Sequence, residues 1–345
     1  MTSFSIDVQA IQSTLHAERG IARYVSELTL ALLRRHDRAV GALVYNPDLP
    51  IDGLDAAIRT DQRFIASDDL RRDRARVHLV ASPFEGASFD RILPPALRLG
   101  DHRLATILYD LIPLRFPAEY LSDPADRRRY GSRIELVRAS SAVLCISNQT
   151  ARDAQELLGV HRSRLHVING APAEQFRPPD APIPASQAPI LGVGGADWRK
   201  NLGQLVESYA QLAPALRAAH PLVVCGRLGP RADELRDLAA RLGVADRLEL
   251  TGVVDDDTLV DLYRRAAVVV ATSVFEGYGL PVVEARASGS VVLASRASSF
   301  VELLPDEALF AVGDVEDLAG RLTGLLTDAD QIEALRSTPV PSGHD

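Results

Sequence analysis

Two glutamates, Glu276 and Glu284, are separated by seven residues in the glycine-containing segment Phe275–Ala285. The apolar run Ala267–Ala271 before them is typical of a buried strand, and Pro281 suits the first turn of a helix. Glu276 should therefore lie on a loop at a helix N-terminus, where backbone N–H groups can face a phosphate or a sugar. The two carboxylates could accept hydrogen bonds from sugar hydroxyls and from a ribose diol, as a nucleotide-sugar site requires.

The spacing resembles the E-x7-E motif of retaining glycosyltransferases with the GT-B fold, specifically mannosyltransferase-like members of glycosyltransferase family 4 (group 1). The resemblance extends from about Gly20 to about Leu325. It implies an α/β protein with two Rossmann-like, doubly wound domains that face a central cleft. It also implies transfer of a sugar from a nucleotide-diphosphate donor with retention of the anomeric configuration. Taken alone, the segment is also compatible with a strand, a turn and a helix that carry two solvated glutamates.

The only lysine among 38 basic residues, Lys200, follows the strand-like run Ile190–Val193. A compact ammonium in this position suits a diphosphate, and a remnant of codon bias is the alternative explanation. By resemblance, Arg199 and Lys200 neutralise the leaving diphosphate, as a metal ion does in other enzymes. The nearby glycines do not complete a dinucleotide-binding fingerprint, because Asp197 stands where a third glycine is required.

The resemblance assigns the remaining donor contacts. Glu276 would position the donor sugar, and Glu284 would hold the ribose. The backbone near the phosphates and the sugar would come from Gly20, Gly195, Gly277, Tyr278, Gly279 and Leu280. Val254 and Asp255 would line the base pocket. The run Asp255–Asp257 could suggest a metal site, but acidic residues at a helix start favour capping, so we expect no metal and no cofactor.

Asp110 is the candidate catalytic residue of the first half of the chain. It closes the strand-like run Leu104–Tyr109. In the resembling family a His-Asp pair often stands here, near the reacting carbon of the sugar, whereas this chain has Tyr109 in place of the histidine. A structural aspartate at the strand end is the alternative. The segment Phe84–Gly86 is similar to an acceptor-side loop, although the signal is weak.

Strand-like runs alternate with helix-period segments throughout, which predicts parallel sheets. The predicted strands are residues 4–8, 77–81, 104–109, 142–146, 165–168, 190–193, 222–225, 248–251, 267–271 and 291–294. The proline-rich stretch 178–189 predicts a linker. It separates an acceptor-side domain, residues 1–177, from a nucleotide-sugar-binding domain, residues 190–330. Residues 331–345 are predicted to be a disordered tail, and the final helix with which relatives return to the first domain is not expected.

The 345 residues are enough for two domains, and the net charge of −8 argues against non-specific binding of nucleic acid. No apolar run reaches the roughly 18 to 20 residues of a membrane span. Cys145 and Cys225 lie in strand-like runs and suit free thiols in a reducing cytoplasm. The cluster Arg127–Arg129 indicates a solvated surface, with peripheral contact at the inner face of an anionic membrane as the alternative.

The resemblance therefore implies a hexosyltransferase. The segments Gly20–Tyr24 and Asp110–Leu114 are similar to mannosyltransferases of polysaccharide assembly, which makes GDP-mannose the first candidate donor. The acceptor would be a saccharide or a lipid-linked saccharide. Two alternatives stay open: another GT-B enzyme, such as a sugar-nucleotide epimerase, and a non-catalytic subunit that binds a nucleotide sugar or serves as a scaffold. The sequence leaves the oligomeric state open.

Overall fold

The computed structural model describes residues 3–12, 20–35, 38–72, 76–84, 89–98, 102–179 and 188–338. The chain divides into two compact units, Met1–Gly170 and Ala171–Asp345. Each unit is built on one parallel sheet flanked by helices, so the predicted α/β class with two Rossmann-like domains is confirmed. That the two domains face a central cleft remains a prediction.

The first unit contains a seven-stranded sheet in the order β3-β2-β1-β4-β5-β6-β7. Its strands are β1 Phe4–Asp7, β2 Val40–Tyr45, β3 Phe64–Ala66, β4 Val77–Val80, β5 Arg103–Leu108, β6 Ala142–Cys145 and β7 Leu165–Val167. All neighbouring strands run parallel. The order reverses between β1 and β4, and ligands of such sheets bind at the carboxyl ends of the strands beside that point.

The helices of this unit are α1 Gln9–Gln12, α2 Gly20–Arg34, α3 Ala56–Arg59, α4 Phe89–Ile92, α5 Pro95–Arg98, α6 Ile112–Arg115, α7 Pro117–Tyr120, α8 Pro124–Ala139 and α9 Asn148–Leu158. Local chemistry sets the ends of α9. Ser147 accepts a hydrogen bond from the backbone N–H of Thr150 at 3.0 Å, and Gly159 ends the helix in the left-handed region with a φ of 67°. Both ends agree with the sequence prediction.

The second unit contains a six-stranded sheet in the order β10-β9-β8-β11-β12-β13, with the reversal between β8 and β11. Its strands are β8 Ile190–Val193, β9 Leu222–Cys225, β10 Leu248–Gly252, β11 Val268–Ala271, β12 Val292–Ser295 and β13 Leu309–Phe310. These strands are parallel and almost entirely apolar, as expected for strands covered on both faces.

The helices of the second unit are α10 Leu202–Ala210, α11 Pro214–Ala219, α12 Arg231–Arg241, α13 Asp256–Arg265, α14 Leu280–Ala287, α15 Phe300–Leu303, α16 Val315–Thr327 and α17 Ala329–Arg336. The last helix differs from the prediction of a disordered segment from residue 331. Ile332 and Leu335 lie one helical turn apart and pack against the core of the unit, and burial of these two side chains stabilises a helix that the polar composition did not predict. Residues 339–345 lie outside the described residues.

The boundary between the units follows Gly170, seven residues before the predicted end of the first domain. Residues 171–177 are part of the second unit, where the carbonyl oxygen of Arg177 accepts a hydrogen bond from Arg264 Nη2 at 2.8 Å. Of the predicted linker, residues 180–187 lie outside the described residues. Cys145 and Cys225 are buried free thiols, as predicted.

Candidate functional site

A basic turn follows β8 at the carboxyl end of the second sheet. The backbone runs from Gly194 to a single 3-10 turn, Trp198–Lys200, which ends at Asn201 in the left-handed region with a φ of 47°. The carboxylate of Asp197 holds this turn twice. It accepts a hydrogen bond from the backbone N–H of Arg199 at 3.0 Å and pairs with the Arg199 guanidinium at 2.9 Å. The direction of the guanidinium is therefore set by a neighbour in the sequence.

A second loop, residues 272–279, follows β11 and is bound to the basic turn through backbone groups. Thr272 Oγ1 donates to the carbonyl oxygen of Lys200 at 2.7 Å, and the Val274 N–H donates to that of Arg199 at 2.8 Å. In the opposite direction, Arg199 Nη1 donates to the carbonyl oxygen of Phe275 at 2.8 Å. The strands β8 and β11 are neighbours in the sheet, so their following loops meet at one edge.

Glu276 lies in direct contact with the predicted basic pair. Its Oε1 atom is 2.5 Å from Lys200 Nζ and accepts a hydrogen bond from Ser273 Oγ at 2.7 Å. Its Oε2 atom is 3.9 Å from Arg199 Nη1. Burial alone would raise the pKa of Glu276, but the charges of Lys200 and Arg199 and these hydrogen bonds together lower it. The side chain is therefore an ionised acceptor at neutral pH.

Two serines that no sequence motif indicated hold the backbone of Glu276. The Glu276 N–H donates to Ser298 Oγ at 2.7 Å, and Ser299 Oγ donates to the carbonyl oxygens of Glu276 at 3.2 Å and Tyr278 at 2.6 Å. Ser298 has a φ of 42°, which is uncommon for a residue with a Cβ atom. Both serines follow β12, so a search for polar residues after every predicted strand would have found them.

Gly279 is required at the start of α14 for steric reasons. It has a φ of 106°, and a Cβ atom at this position would lie 2.6 Å from Cε1 of the Phe300 ring. Leu280 and Pro281 then form the first turn of the helix. Gly277 and Tyr278 are buried in the loop before it. The close approach of the ring therefore leaves no room for a side chain at position 279.

Glu284 lies inside α14 and is 5% exposed. Its Oε2 atom accepts a hydrogen bond from the Tyr263 hydroxyl of α13 at 3.3 Å. The two glutamates of the motif therefore have different surroundings, since Glu276 contacts cations and serines while Glu284 contacts a buried tyrosine. Its predicted role at a ribose is compatible with this position and stays a prediction.

The loops after β8 and β9 lie in contact, and the approach is closest at Gly226. Gly195 lies against the backbone of Arg227, whose carbonyl oxygen would be 3.5 Å from a Cβ atom at position 195. The following N–H, of Ala196, donates to the same oxygen at 2.9 Å. A Cβ atom at Gly226 would lie only 1.8 Å from the carbonyl oxygen of Gly194, so position 226 admits no other residue.

Asp255 caps α13, as the sequence analysis favoured over a metal site. Its Oδ1 atom accepts a hydrogen bond from the Thr258 N–H at 2.8 Å. Hydrogen bonding from the Thr258 side chain, and then from this N–H, lowers the pKa of Asp255. Val254, directly before it, is half-buried at the end of the loop after β10. Among the described residues, no group of three or more His, Cys, Asp or Glu side chains could hold a metal ion.

Asp110 and Gly20 belong to the first unit. Asp110 Oδ1 accepts a hydrogen bond from the Ile112 N–H at 3.0 Å, and Gly20 is the exposed first residue of α2. The Tyr109 hydroxyl donates to the carbonyl oxygen of Ala81 at 2.9 Å, and the ring lies edge-on to Tyr24. In the acceptor-side segment Phe84–Gly86, Glu85 and Gly86 lie outside the described residues. The structure thus places Asp110 at a helix start, and its catalytic role stays a prediction.

Residues 174–338 match the family described as Glycosyl transferases group 1. This stretch of the chain is therefore similar to group 1 glycosyltransferases. It covers the basic turn, the Glu276 loop, the two serines and Glu284. The match covers nearly all of the second unit and none of the first.

Two curated relatives extend the comparison. The serotype-specific mannosyltransferase WbdA of Escherichia coli is 25% identical over 94% of this chain and 44% of its own length. The O-antigen chain mannosyltransferase B of Escherichia coli is 28% identical over 66% of this chain and 62% of its own length. The chain thus spans less than two thirds of each of these relatives.

Solved structures show a likeness over almost the whole chain. The lipopolysaccharide outer core galactosyltransferase WaaB is 15% identical, with a TM-score of 0.65 over 98% of this chain and 96% of its own. The Anabaena protein HepE in complex with UDP is 16% identical, with a TM-score of 0.68 over 98% of this chain and 93% of its own. At this level of identity the likeness concerns the fold, and the predicted GT-B fold class is confirmed.

In the part of the chain that the structure describes, no helix is both long and apolar enough to serve as a membrane span.

Proposed function

We propose that the chain is a retaining glycosyltransferase that moves a hexose from a nucleotide-diphosphate sugar to a saccharide or a lipid-linked saccharide without a metal ion. Mannose from GDP-mannose is the first candidate, since both curated relatives above are named mannosyltransferases. The observation that carries the proposal is the cluster of Arg199, Lys200 and Glu276, held at the carboxyl ends of β8 and β11.

The cluster contains the groups that the departure of a diphosphate needs. Two cations would bind and neutralise the negative charge that develops on the leaving phosphate oxygens. Glu276, kept ionised by these same cations, would accept hydrogen bonds from hydroxyls of the donor sugar. The basic turn and the Glu276 loop are bound to each other by one backbone hydrogen bond and by side chains that donate to backbone carbonyl oxygens, so these groups are positioned before a donor arrives. Positioning of this kind lowers the cost of reorganisation in the transition state.

The direct test is a thermal-shift panel of GDP, UDP, ADP and their common sugar conjugates, with and without Mg²⁺. We expect the nucleotides of one base (guanine, uracil or adenine) to stabilise the protein in the absence of metal, because a ligand that binds only the folded state raises the melting temperature. Lys200→Ala should lose this stabilisation. Arg236→Ala, which removes an exposed guanidinium paired with Asp233 on α12, is the matched control and should keep it.

Transfer is then measured with the stabilising donor and a panel of saccharide acceptors. Lys200→Ala and Glu276→Ala should abolish transfer while leaving the protein folded. Turnover near the wild-type value in either variant, or stabilisation that depends on Mg²⁺, would contradict the proposed roles.

A non-catalytic nucleotide-sugar-binding subunit is the second candidate, and one observation favours it. Tyr109 stands where the resembling family often has a histidine, and its hydroxyl is bound to a backbone carbonyl of its own unit. A donor that binds and is never turned over or hydrolysed, with any acceptor of the panel, would support this second function.

A further inference from the structure

A buried carboxyl group, which the proposed donor site does not use, lies at the carboxyl end of the sheet in the first unit. Asp7 is the last residue of β1 and is 1% exposed. Its strand lies between β2 and β4, at the point where the strand order reverses. In open α/β sheets this is the place where ligands bind.

The polar groups around Asp7 are bonded to one another. Gln12 exchanges hydrogen bonds with the backbone of Asn46, donating from Nε2 at 2.9 Å and accepting at Oε1 at 2.8 Å. Gln9 Nε2 donates to the carbonyl oxygen of Arg91 at 2.8 Å. The Gln9 N–H donates to Asp7 Oδ1 at 2.9 Å. Asp7 Oδ2, by contrast, is buried with no hydrogen-bond partner among the described residues.

The chemistry of this oxygen favours a hydroxyl group as its partner. Burial raises the pKa of Asp7 to about 7, against the lowering effect of its hydrogen bonds with Gln9. Near neutral pH the group therefore exists both as an acid and as a carboxylate. A hydroxyl can donate to the carboxylate and accept from the acid, whereas an ammonium suits only the ionised form and a phosphate only the protonated form.

We propose that Asp7 Oδ2 binds a hydroxyl group of the acceptor, a saccharide or another polyol, and so contributes to the choice of acceptor. This inference rests on the proposed function, because that function requires an acceptor with a free hydroxyl. The helix cap explains Oδ1 alone, since the N–H of Gln9 bonds to that atom. The burial of a second oxygen without a partner is what a structural role leaves unexplained.

The test variant is Asp7→Asn, which keeps the Oδ1 acceptor for the Gln9 N–H and nearly the same shape, but replaces Oδ2 with an N–H donor. Asp7→Ser, which keeps a capping oxygen and removes the second one, is the second variant in case the first does not fold. Asp55→Asn is the matched control, because Asp55 caps α3 through the Ala57 N–H at 2.7 Å in an exposed position.

The full chain and its variants are screened by thermal shift at about pH 8, where the Asp7 carboxyl is mostly ionised and Oδ2 can only accept a hydrogen bond. The compounds are methyl α-mannoside, methyl α-glucoside, methyl α-galactoside and myo-inositol. We expect at least one compound to stabilise the wild type and Asp55→Asn. The affinity of Asp7→Asn for that compound should fall by about tenfold or more, the typical effect of losing a hydrogen bond to a charged group. Among monodeoxy analogues of the compound, one should bind the wild type more weakly than the parent compound does. Asp7→Asn should bind this analogue and the parent compound equally well, because the variant has already lost the hydrogen bond that the missing hydroxyl would make.

The responses to GDP, UDP and ADP are recorded in the same screen. They should be equal in the wild type and in Asp7→Asn, so that the donor site serves as an internal reference. Equal polyol binding by the wild type and both Asp7 variants, or no polyol response in a wild type that responds to a nucleotide, would overturn the role of Asp7 and leave the proposed function intact. A wild type that responds to no nucleotide would overturn both.

Discussion

Replacing Glu276 with glutamine separates two roles of this carboxylate, which would accept hydrogen bonds from the donor sugar and also balances the charge of the cations. Glutamine keeps the size and one acceptor oxygen. In the structure, Lys200 and Arg199 lie 2.5 Å and 3.9 Å from the carboxylate, and Asp197 pairs with Arg199 at 2.9 Å. These four side chains have a net charge of zero, and the substitution changes it to +1.

The size of the effect follows from Coulomb's law. A unit charge about 6 Å from a phosphate, at an effective dielectric constant of about 40, interacts with it by about 1.4 kcal/mol, which is about tenfold in affinity. Glu276→Gln should therefore bind the bare nucleoside diphosphate about tenfold more tightly than the wild type. Transfer should be slower by about a hundredfold or more, as when a positioned polar group is removed from an active site.

Isothermal titration calorimetry with GDP, UDP and ADP measures the first effect, and a transfer assay with the sugar conjugate measures the second. Lys200→Ala should change affinity in the opposite direction, and the difference between the variants should shrink at high salt. Asp261→Asn is the matched control, because it also removes one negative charge but does so at an exposed pair with Arg265 on α13.

Weaker binding of the bare nucleotide by Glu276→Gln would refute the reasoning, because it would mean that the carboxylate favours the nucleotide rather than opposing it. An equal gain in Asp261→Asn would also refute it, since the effect would then come from the overall charge and not from the site.

Three further predictions concern the same groups. Lys200 is the only lysine, so an amine-directed acylating reagent should modify this side chain and the N-terminus alone, as peptide mapping can show. A bound nucleotide should protect Lys200 from the reagent. Labelling of Lys200 at the same rate with and without nucleotide would contradict its place in the donor site. Ser298→Ala and Ser298→Gly both remove the acceptor of the Glu276 N–H, but only alanine keeps a Cβ atom at positive φ. The free energy of unfolding of Ser298→Ala, measured in urea, should therefore be lower than that of Ser298→Gly by about 1 kcal/mol. Equal free energies would show that the backbone relaxes. The pKa of Asp7 is raised from 3.8 to about 7, so protonation of this carboxyl stabilises the folded state. This stabilisation is complete below the pKa of Asp7 in the unfolded chain, and it is lost as the pH rises through the pKa in the folded protein. The stability of the wild type should therefore fall relative to Asp7→Asn between those two pH values by up to about 4 kcal/mol, and parallel urea titrations that show no divergence would contradict the burial of this carboxyl.

Most central strands and the ends of α9 could be predicted from the sequence, because they depend on local patterns. The strand Ile190–Val193 was predicted residue for residue, and the cap of α9 was predicted from Ser147 and Asn148. An apolar run covered on both faces and a side chain that binds an N–H three residues later both act within a short stretch of chain. Such features need no knowledge of distant residues.

The missed strands Val40–Tyr45, Phe64–Ala66 and Leu309–Phe310 lie at or next to sheet edges. The strand 64–66 pairs with 40–45, and 309–310 pairs with β12. The two edge strands are only three and two residues long, which is too short to distinguish a strand by its pattern, and pairing with a neighbouring strand provides their order. In the same way, the helix Ala329–Arg336 forms because Ile332 and Leu335 contact a core built by the rest of the unit.

The residue types of the candidate site were also visible in the sequence, but their contacts were not. The residues Arg199, Lys200 and Glu276 were identified from local motifs, whereas the 2.5 Å contact joins residues that are 76 positions apart. The meeting of loops at the end of a sheet also places Ser298 at the Glu276 N–H and Phe300 against Gly279. In the first unit, it buries an oxygen of Asp7 that has no partner among the described residues. Which chemical groups follow which strands can be read from local sequence. Which of these groups touch depends on the fold, because strand order brings together loops that are distant along the chain.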